Sequence, residues 1–220
     1  AVTVIPFGIN NAAPHTALTP AEARQQLGIA PDEKTILFFG AIRPYKGLEH
    51  LVAAFQQVAP KDSGYRLVIA GESKKDSLEY LQGIQKSIEA DASARRIIQQ
   101  IEFIPDSETE LYFKAADVLV LPYTLVFQSG VLFLAYSFGL PVIAADIGSF
   151  RDDVIDGRAG YLSPGCAPID LAGTIETYFA SDLYRTLDRR RQGIRDYAVS
   201  RNSWHVVGEK TCDVYRSLLG

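Results

Sequence analysis

Short apolar runs alternate with helical stripes along most of the chain. Thr35-Ile-Leu-Phe-Phe-Gly40 is a continuous apolar run closed by glycine, the pattern of a strand buried on both faces. Leu48, Leu51, Val52, Phe55 and Val58 then recur at helical spacing and predict one apolar face on a helix after the loop Ala41–Gly47. The same alternation predicts a strand over Leu67–Ala70 ending at Gly71 and a helix around Leu78–Ala90. A strand over Ile101–Ile104 and a helix around Leu111–Ala116 follow. Val118–Pro122 reads as another buried strand, Val131–Phe138 as a helix closed by Gly139, and Pro141–Ala145 as a further strand. Helices near Ile169–Phe179 and Thr211–Leu219 complete the pattern. Near the start, Thr19 followed by Pro20 and Glu22 marks a helix beginning within an otherwise polar, Pro- and Ala-rich stretch.

Strands alternating with helices, without a hairpin signal, imply parallel pairing through right-handed crossovers. The expected fold class is therefore α/β: a doubly wound, mostly parallel, Rossmann-like sheet with helices on both faces. Residues 1–220 form one expected domain, with 1–34 as a lead-in segment and 200–220 as a terminal helix. Sheets of this kind bind ligands where the loops at the carboxyl ends of their strands converge. The loops that matter are those after Phe39, Ala70, Ile104, Leu121 and Ala145.

Composition narrows the classes of partner. A net charge of −4 argues against a broad contact with nucleic acid or anionic lipid, so any anion must be held locally. Cys166 and Cys212 lack metal-type spacing, and so few thiols in so long a chain suggest a reducing, cytosolic compartment. No apolar run reaches the ~18 residues of a membrane span, and the first residues lack the zones of a signal peptide. The chain contains no methionine, which fits an excised domain, a processed piece or an incomplete record equally well.

Two loops carry candidate chemistry. Gly40-Ala-Ile-Arg43-Pro-Tyr-Lys46-Gly47 places two cations three residues apart between glycines. Glycine permits close backbone approach, arginine offers a fork of donors and lysine a mobile charge, so the loop is built like a diphosphate clamp. The alternative is a pair of solvated cations beside a helix start. Gln128-Ser129-Gly130-Val131 opens the next candidate helix, where free N–H groups and the helix dipole attract anions. Ser129 adds a hydroxyl there, or serves only as a cap. His15, His50 and His205 show no ligand spacing, and no metal is expected.

In order and spacing, several segments resemble the carboxy-terminal domain of group 1 (family 4) GT-B glycosyltransferases. Val4-Ile-Pro-Phe-Gly-Ile-Asn10 looks like the segment that leads into that domain, and Gly40…Arg43…Lys46-Gly47 like its phosphate-binding loop. Leu67–Gly71 resembles the second strand. Glu102-Phe-Ile104, with Glu110-Leu-Tyr…Ala116-Asp117-Val…Pro122, resembles the nucleobase-pocket stretch, and Gly139-Leu-Pro-Val-Ile-Ala144 and Asp156-Gly157…Gly160 complete the series. The resemblance implies a donor domain for a nucleoside-diphosphate sugar, transferring a hexose with retention to a glycan or lipid-linked acceptor. Arg43 and Lys46 would neutralise the leaving diphosphate, an interaction that strengthens in the transition state. Gly40, Gln128, Ser129, Gly130 and Val131 would face the pyrophosphate and sugar, and the backbone near Ile104 would read the base. It also implies that an acceptor-binding amino-terminal domain is missing, that the fragment alone turns over nothing, and that any contact with the inner membrane surface is peripheral and made by the missing half. The partners implied are the nucleotide-sugar donor and that acceptor, without nucleic acid and without a cofactor.

The chain departs from the family at its Glu-x7-Glu pair, where counting back from Gly139 puts Leu134 and Val126. Leucine cannot accept a ribose hydroxyl's hydrogen bond, so the ribose must be held elsewhere, for example by Glu72, or the donor differs. Gln128 is a neutral candidate for the sugar. Asp146 and Asp152 are the other acids at loop ends, with Asp152 a minor candidate. The departure motivates an alternative: a nucleotide-binding regulatory module of the same fold without catalysis. A receiver- or flavodoxin-type domain fits less well, because Gly40-Ala-Ile-Arg43 supplies cations where those need acids or a phosphate loop.

Overall fold

A computed structural model of the chain describes residues 3–9 and 13–219. Six strands form one sheet: β1 (Lys34–Phe39), β2 (Tyr65–Ala70), β3 (Ile97–Gln100), β4 (Val118–Leu121), β5 (Val142–Ala145) and β6 (Gly160–Ser163). Their order is β3-β2-β1-β4-β5-β6 and every pairing is parallel, with Ile36 of β1 registered against Leu67 on one side and Val118 on the other. This is the expected doubly wound sheet. The chain reverses its winding between β1 and β4, so the loops leaving those strands part there and open a crevice.

Helices α1 (Pro20–Gln26), α2 (Leu48–Val58), α3 (Leu78–Glu89), α4 (Asp106–Ala115) and α5 (Gly130–Ser137) connect the strands up to β5. Beyond it lie α6 (Phe150–Asp153), α7 (Pro168–Ala180), α8 (Asp182–Arg185), α9 (Leu187–Asn202) and α10 (Trp204–Leu219). The predicted start of α1 is a complete capping box, in which Thr19 accepts from the Glu22 N–H and Glu22 accepts from the Thr19 N–H. On α2 the predicted stripe is fully buried, and the helix packs against α7 over the sheet. Phe38, Phe55, Phe113, Tyr136, Phe150 and Tyr178 are the largest sealed side chains of the continuous core.

The structure differs from the sequence-based assignments at both sheet edges and in the last two helices. Residues 101–104 are loop; the strand is β3, one step earlier, where Ile97-Ile-Gln-Gln100 pairs with β2. As an edge strand it needs only one apolar face, so its polar half hides the pattern, while Ile101 and Ile104 pack on the core from the loop. Gly160–Ser163 forms the other edge, β6, whose Gly and Ser ends leave no continuous apolar run to mark it. The 16-residue α9 carries buried contacts only at Leu187, Ile194, Tyr197, Ala198 and Asn202, a sparse stripe in an arginine-rich sequence. The last helix begins at Trp204, seven residues before the expected start, so the final segment is a pair of helices breaking at Ser203.

The lead-in segment is tied to the end of the chain. The Ile9 N–H donates to the Asn202 carbonyl at 2.7 Å, Asn202 Nδ2 donates to the Phe7 carbonyl at 2.9 Å, and the Trp204 ring lies over Gly8. A Cβ at Gly8 would sit 2.8 Å from that ring, so only glycine fits beneath it. Asn10, the last residue of the family-like lead-in motif, lies outside the described residues. Further on, Thr16 donates through both its N–H and its hydroxyl to Glu110 of α4, which also pairs with Lys114 at 2.7 Å.

Candidate functional site

The crevice is shaped by close backbone approaches. A Cβ at Gly71 would lie 2.1 Å from the Gly40 carbonyl oxygen, so the exits of β1 and β2 can press together only with glycine there. The Ile42 N–H donates to the Glu72 carbonyl at 2.8 Å and the Ile42 side chain is sealed in the core, which pins the middle of the loop. A single 3-10 turn, Pro44–Lys46, follows and ends at Gly47 in the left-handed region. There a Cβ would stand 2.1 Å from the Pro122 carbonyl oxygen at the exit of β4. The Thr124 N–H and hydroxyl both donate to the Tyr45 carbonyl, binding the β1 and β4 loops together.

This threading carries Lys46 inward. The residue is only 8% exposed, its Nζ lies 5.7 Å from the Tyr123 ring centroid, and a Cβ at Gly40 would be 3.4 Å from that Nζ. Among the described residues no carboxylate pairs with it. Burial, and secondarily the charge of Arg43, pull its pKa from 10.5 to about 8. A cation so placed is poorly compensated by its own protein and gains most from an incoming anion.

Arg43 is differently engaged. Its Nη1 donates to both oxygens of Asp76, which follows β2, at 2.5 Å. That pair holds the guanidinium pKa above and the Asp76 pKa below its ordinary value, with Glu72 adding a smaller favourable charge for Arg43. The sequence reading of two free cations is therefore modified: one cation is unpaired and the other is held in a solvent-facing ion pair that a diphosphate would have to open. Asp76 carries no motif that could have announced it, because its partnership depends on the β1 and β2 loops meeting.

Across the crevice, Ser129 caps α5, its hydroxyl accepting weakly from the Leu132 N–H at 3.4 Å. Tyr45, Lys46 and Tyr123 together with Leu125–Val131 enclose a cleft of about 340 Å³. Gly40 borders it, since a Cβ there would lie 3.6 Å from the Val131 side chain. Of the sequence-derived candidates, Gly40, Lys46, Gln128, Ser129, Gly130 and Val131 thus come together. Arg43 and Glu72 stand on the adjoining β1–β2 side, and Ile104 lies further along the same edge, in the loop after β3. That row follows the sheet order β4, β1, β2, β3, a geometry suited to an elongated anion. Tyr123 was missed by sequence reasoning, although it directly follows the strand run ending at Pro122.

Leu134 is 7% exposed, packed in the core and absent from the cleft lining, which among the described residues contains no carboxylate. Asp146 is paired with Arg151 at 2.6 Å. The histidines are dispersed: His15 stacks on Phe138, His50 lies beside Glu49 and His205 beside Glu209.

Comparisons with known proteins identify the family and the fold. The family model described as "Glycosyl transferases group 1" matches residues 20–198. The D-inositol 3-phosphate glycosyltransferase of Geodermatophilus obscurus is 32% identical over 165 residues, covering 72% of this chain and 36% of that protein. The Anabaena protein HepE, solved in complex with UDP-glucose, superposes with a TM-score of 0.82 at 22% identity, over 98% of this chain and 57% of its own. The C-terminal domain of the group 1 family protein LpcC of Francisella tularensis superposes with a TM-score of 0.74 at 22% identity, over 90% of this chain and 100% of its own. The chain thus spans under half of the curated relative and 57% of the HepE chain.

Proposed function

We propose, since this chain belongs to the group 1 glycosyl transferases, that it is the donor-binding half of an enzyme that transfers a hexose from a nucleoside-diphosphate sugar, with retention, to a glycan or lipid-linked acceptor. The observation that carries the reading is Lys46: a buried ammonium without a paired carboxylate among the described residues, lining one cleft with the amino end of α5 at the switch point of the sheet. Diphosphate oxygens would gain the Lys46 charge, the Gly130 and Val131 N–H groups and the dipole of α5. As the sugar–phosphate bond breaks, negative charge grows on the leaving diphosphate. Lys46, joined by Arg43 once released from Asp76, then holds the transition state more tightly than the ground state. The chemistry needs no metal in this scheme, because side-chain cations take the role. The nucleobase would extend past β2 toward the backbone at Ile104.

HepE, bound to UDP-glucose with the same fold, supports the donor class. The LpcC domain, matched over its whole length, supports reading this chain as a carboxy-terminal domain. Acceptor recognition would then belong to a separate amino-terminal half. Among the described residues no helix is long and apolar enough to cross a membrane. Both cysteines are free, which suits a reducing cytosolic compartment, with membrane contact left to the other half.

The acid-free cleft favours one further reading, a nucleotide-binding module that regulates rather than catalyses. Titration of the chain with UDP, UDP-glucose and a panel of other nucleotide sugars tests the proposal by calorimetry and thermal shift. Saturable binding is expected, with no turnover by the isolated chain. Absence of binding at about 5 mM ligand, equivalent to less than about 3 kcal/mol of affinity, rejects donor binding. Restored transfer on adding an amino-terminal half separates the enzyme from the module.

A further inference from the structure

Apart from Lys46, the donor cleft is walled mainly by hydrocarbon. Tyr45, Leu125 and Phe127 border it at 46%, 58% and 85% exposure, and Val126 and Val131 line it from partly buried positions on the core. Large apolar side chains held in water around one opening gain by covering, and what covers them must bring apolar surface of its own. The cleft volume of about 340 Å³ suits a single sugar ring beside a phosphate group.

The polar groups of the same cleft are mostly engaged. Ser129 accepts from the Leu132 N–H and hydrogen-bonds the Tyr123 phenol, whose pKa burial nonetheless raises. Lys46 and the Gly130 and Val131 N–H groups are those that would meet the diphosphate. The Val126 carbonyl oxygen is packed against the exit of β5, 2.4 Å from where a Cβ at Gly148 would stand. Among the lining side chains, Gln128 and the Tyr45 hydroxyl remain to serve a sugar, and no carboxylate is present among the described residues. A hexose presents several hydroxyls, and each one that leaves water without a partner weakens binding.

Resting on the donor reading of this cleft and going beyond it to the sugar, we propose that the cleft selects a 6-deoxyhexosyl donor, with Leu125 and Phe127 as the specificity-determining residues that pack on its methyl group. The C6 substituent projects furthest from the ring, and without its oxygen it is a compact methyl. The exchange removes one hydroxyl that needs a partner and places apolar surface where the wall is apolar.

The test titrates the whole chain by calorimetry with two matched pairs, UDP-glucose against UDP-6-deoxyglucose and GDP-mannose against GDP-6-deoxymannose, alongside UDP and GDP. In a series whose diphosphate binds, the deoxy sugar should bind about tenfold more tightly than its hydroxylated partner. Phe127→Ser and Leu125→Ser, both at exposed positions, should each cut that preference to less than about threefold. Equal affinity within the pair, or a preference untouched by both variants, overturns the sugar class while diphosphate binding leaves the donor reading standing. A variant that weakens the bare diphosphate as much as the deoxy sugar assigns the wall to the nucleotide and overturns the proposal as well. If neither diphosphate binds at about 5 mM, the donor reading itself fails and the sugar class falls with it.

Discussion

Replacing Lys46 by methionine separates what the side chain costs the fold from what it contributes to the ligand. Methionine keeps most of the aliphatic stem and deletes the charge. In the unfolded chain the ammonium titrates near 10.5 and in the fold near about 8, because burial disfavours the charged form. Below pH 8 the group is charged in both states and the folded state carries the full penalty. At about 1.4 kcal/mol per decade that penalty approaches about 3 kcal/mol. As pH rises from 8 through 10.5 the folded form sheds its proton first and the penalty is relieved, falling to about 1 kcal/mol at pH 10. Lys46→Met should therefore be more stable than the parent by about 1–3 kcal/mol at pH 7, which for a chain of this size is a gain of about 2–10 °C in melting temperature. The advantage should shrink at pH 10. The same variant should lose the melting shift that UDP produces in the parent. Urea unfolding at the two pH values, with and without UDP, reads all of this. Equal or lower stability of Lys46→Met at pH 7, with a difference indifferent to pH, would show that Lys46 is already compensated within the protein and refute the reasoning.

Three further outcomes are expected. Gly47→Ala forces a Cβ to 2.1 Å from the Pro122 carbonyl oxygen at a φ of 65°, so urea titration should show a loss of more than about 2 kcal/mol together with weakened nucleotide binding. An unchanged midpoint would mean that the β1 and β4 loops are not pressed together. Asp76→Asn frees Arg43 from its ion pair and should tighten UDP binding about threefold, whereas Arg43→Ala should weaken it. If calorimetry finds neither change, Arg43 takes no part in the clamp. Asp117→Ala strips Arg24 and the Thr35 N–H of their acceptor inside the fold, and thermal unfolding should reveal a loss of about 3–5 kcal/mol. A loss below about 1 kcal/mol would show that water replaces the carboxylate.

The winding order of the fold was legible along the chain because a strand buried on both faces must be apolar throughout and a surface helix must repeat its apolar positions. β1, β2, β4 and β5 announce themselves in this way, as do α2, α3 and α7. The edge strands did not, since β3 hides a polar half and β6 is bounded by Gly160 and Ser163 without a continuous apolar run. Nor did α9, whose core contacts are spaced too widely among arginines to stand out. The candidate loops were legible too, because glycine, arginine and lysine at those spacings have few other uses together at a strand exit.

Charge partnerships were decided elsewhere. Nothing near Arg43 in the chain specifies Asp76, and nothing near Lys46 says that it lacks a partner. Both follow from the β1 loop threading beneath the β4 exit and against the β2 loop. Composition and period therefore determine which residues can be buried and which loops share an edge of the sheet. Whether a given cation there is neutralised depends on distances of a few ångströms between segments tens of residues apart, and only the packed chain sets those.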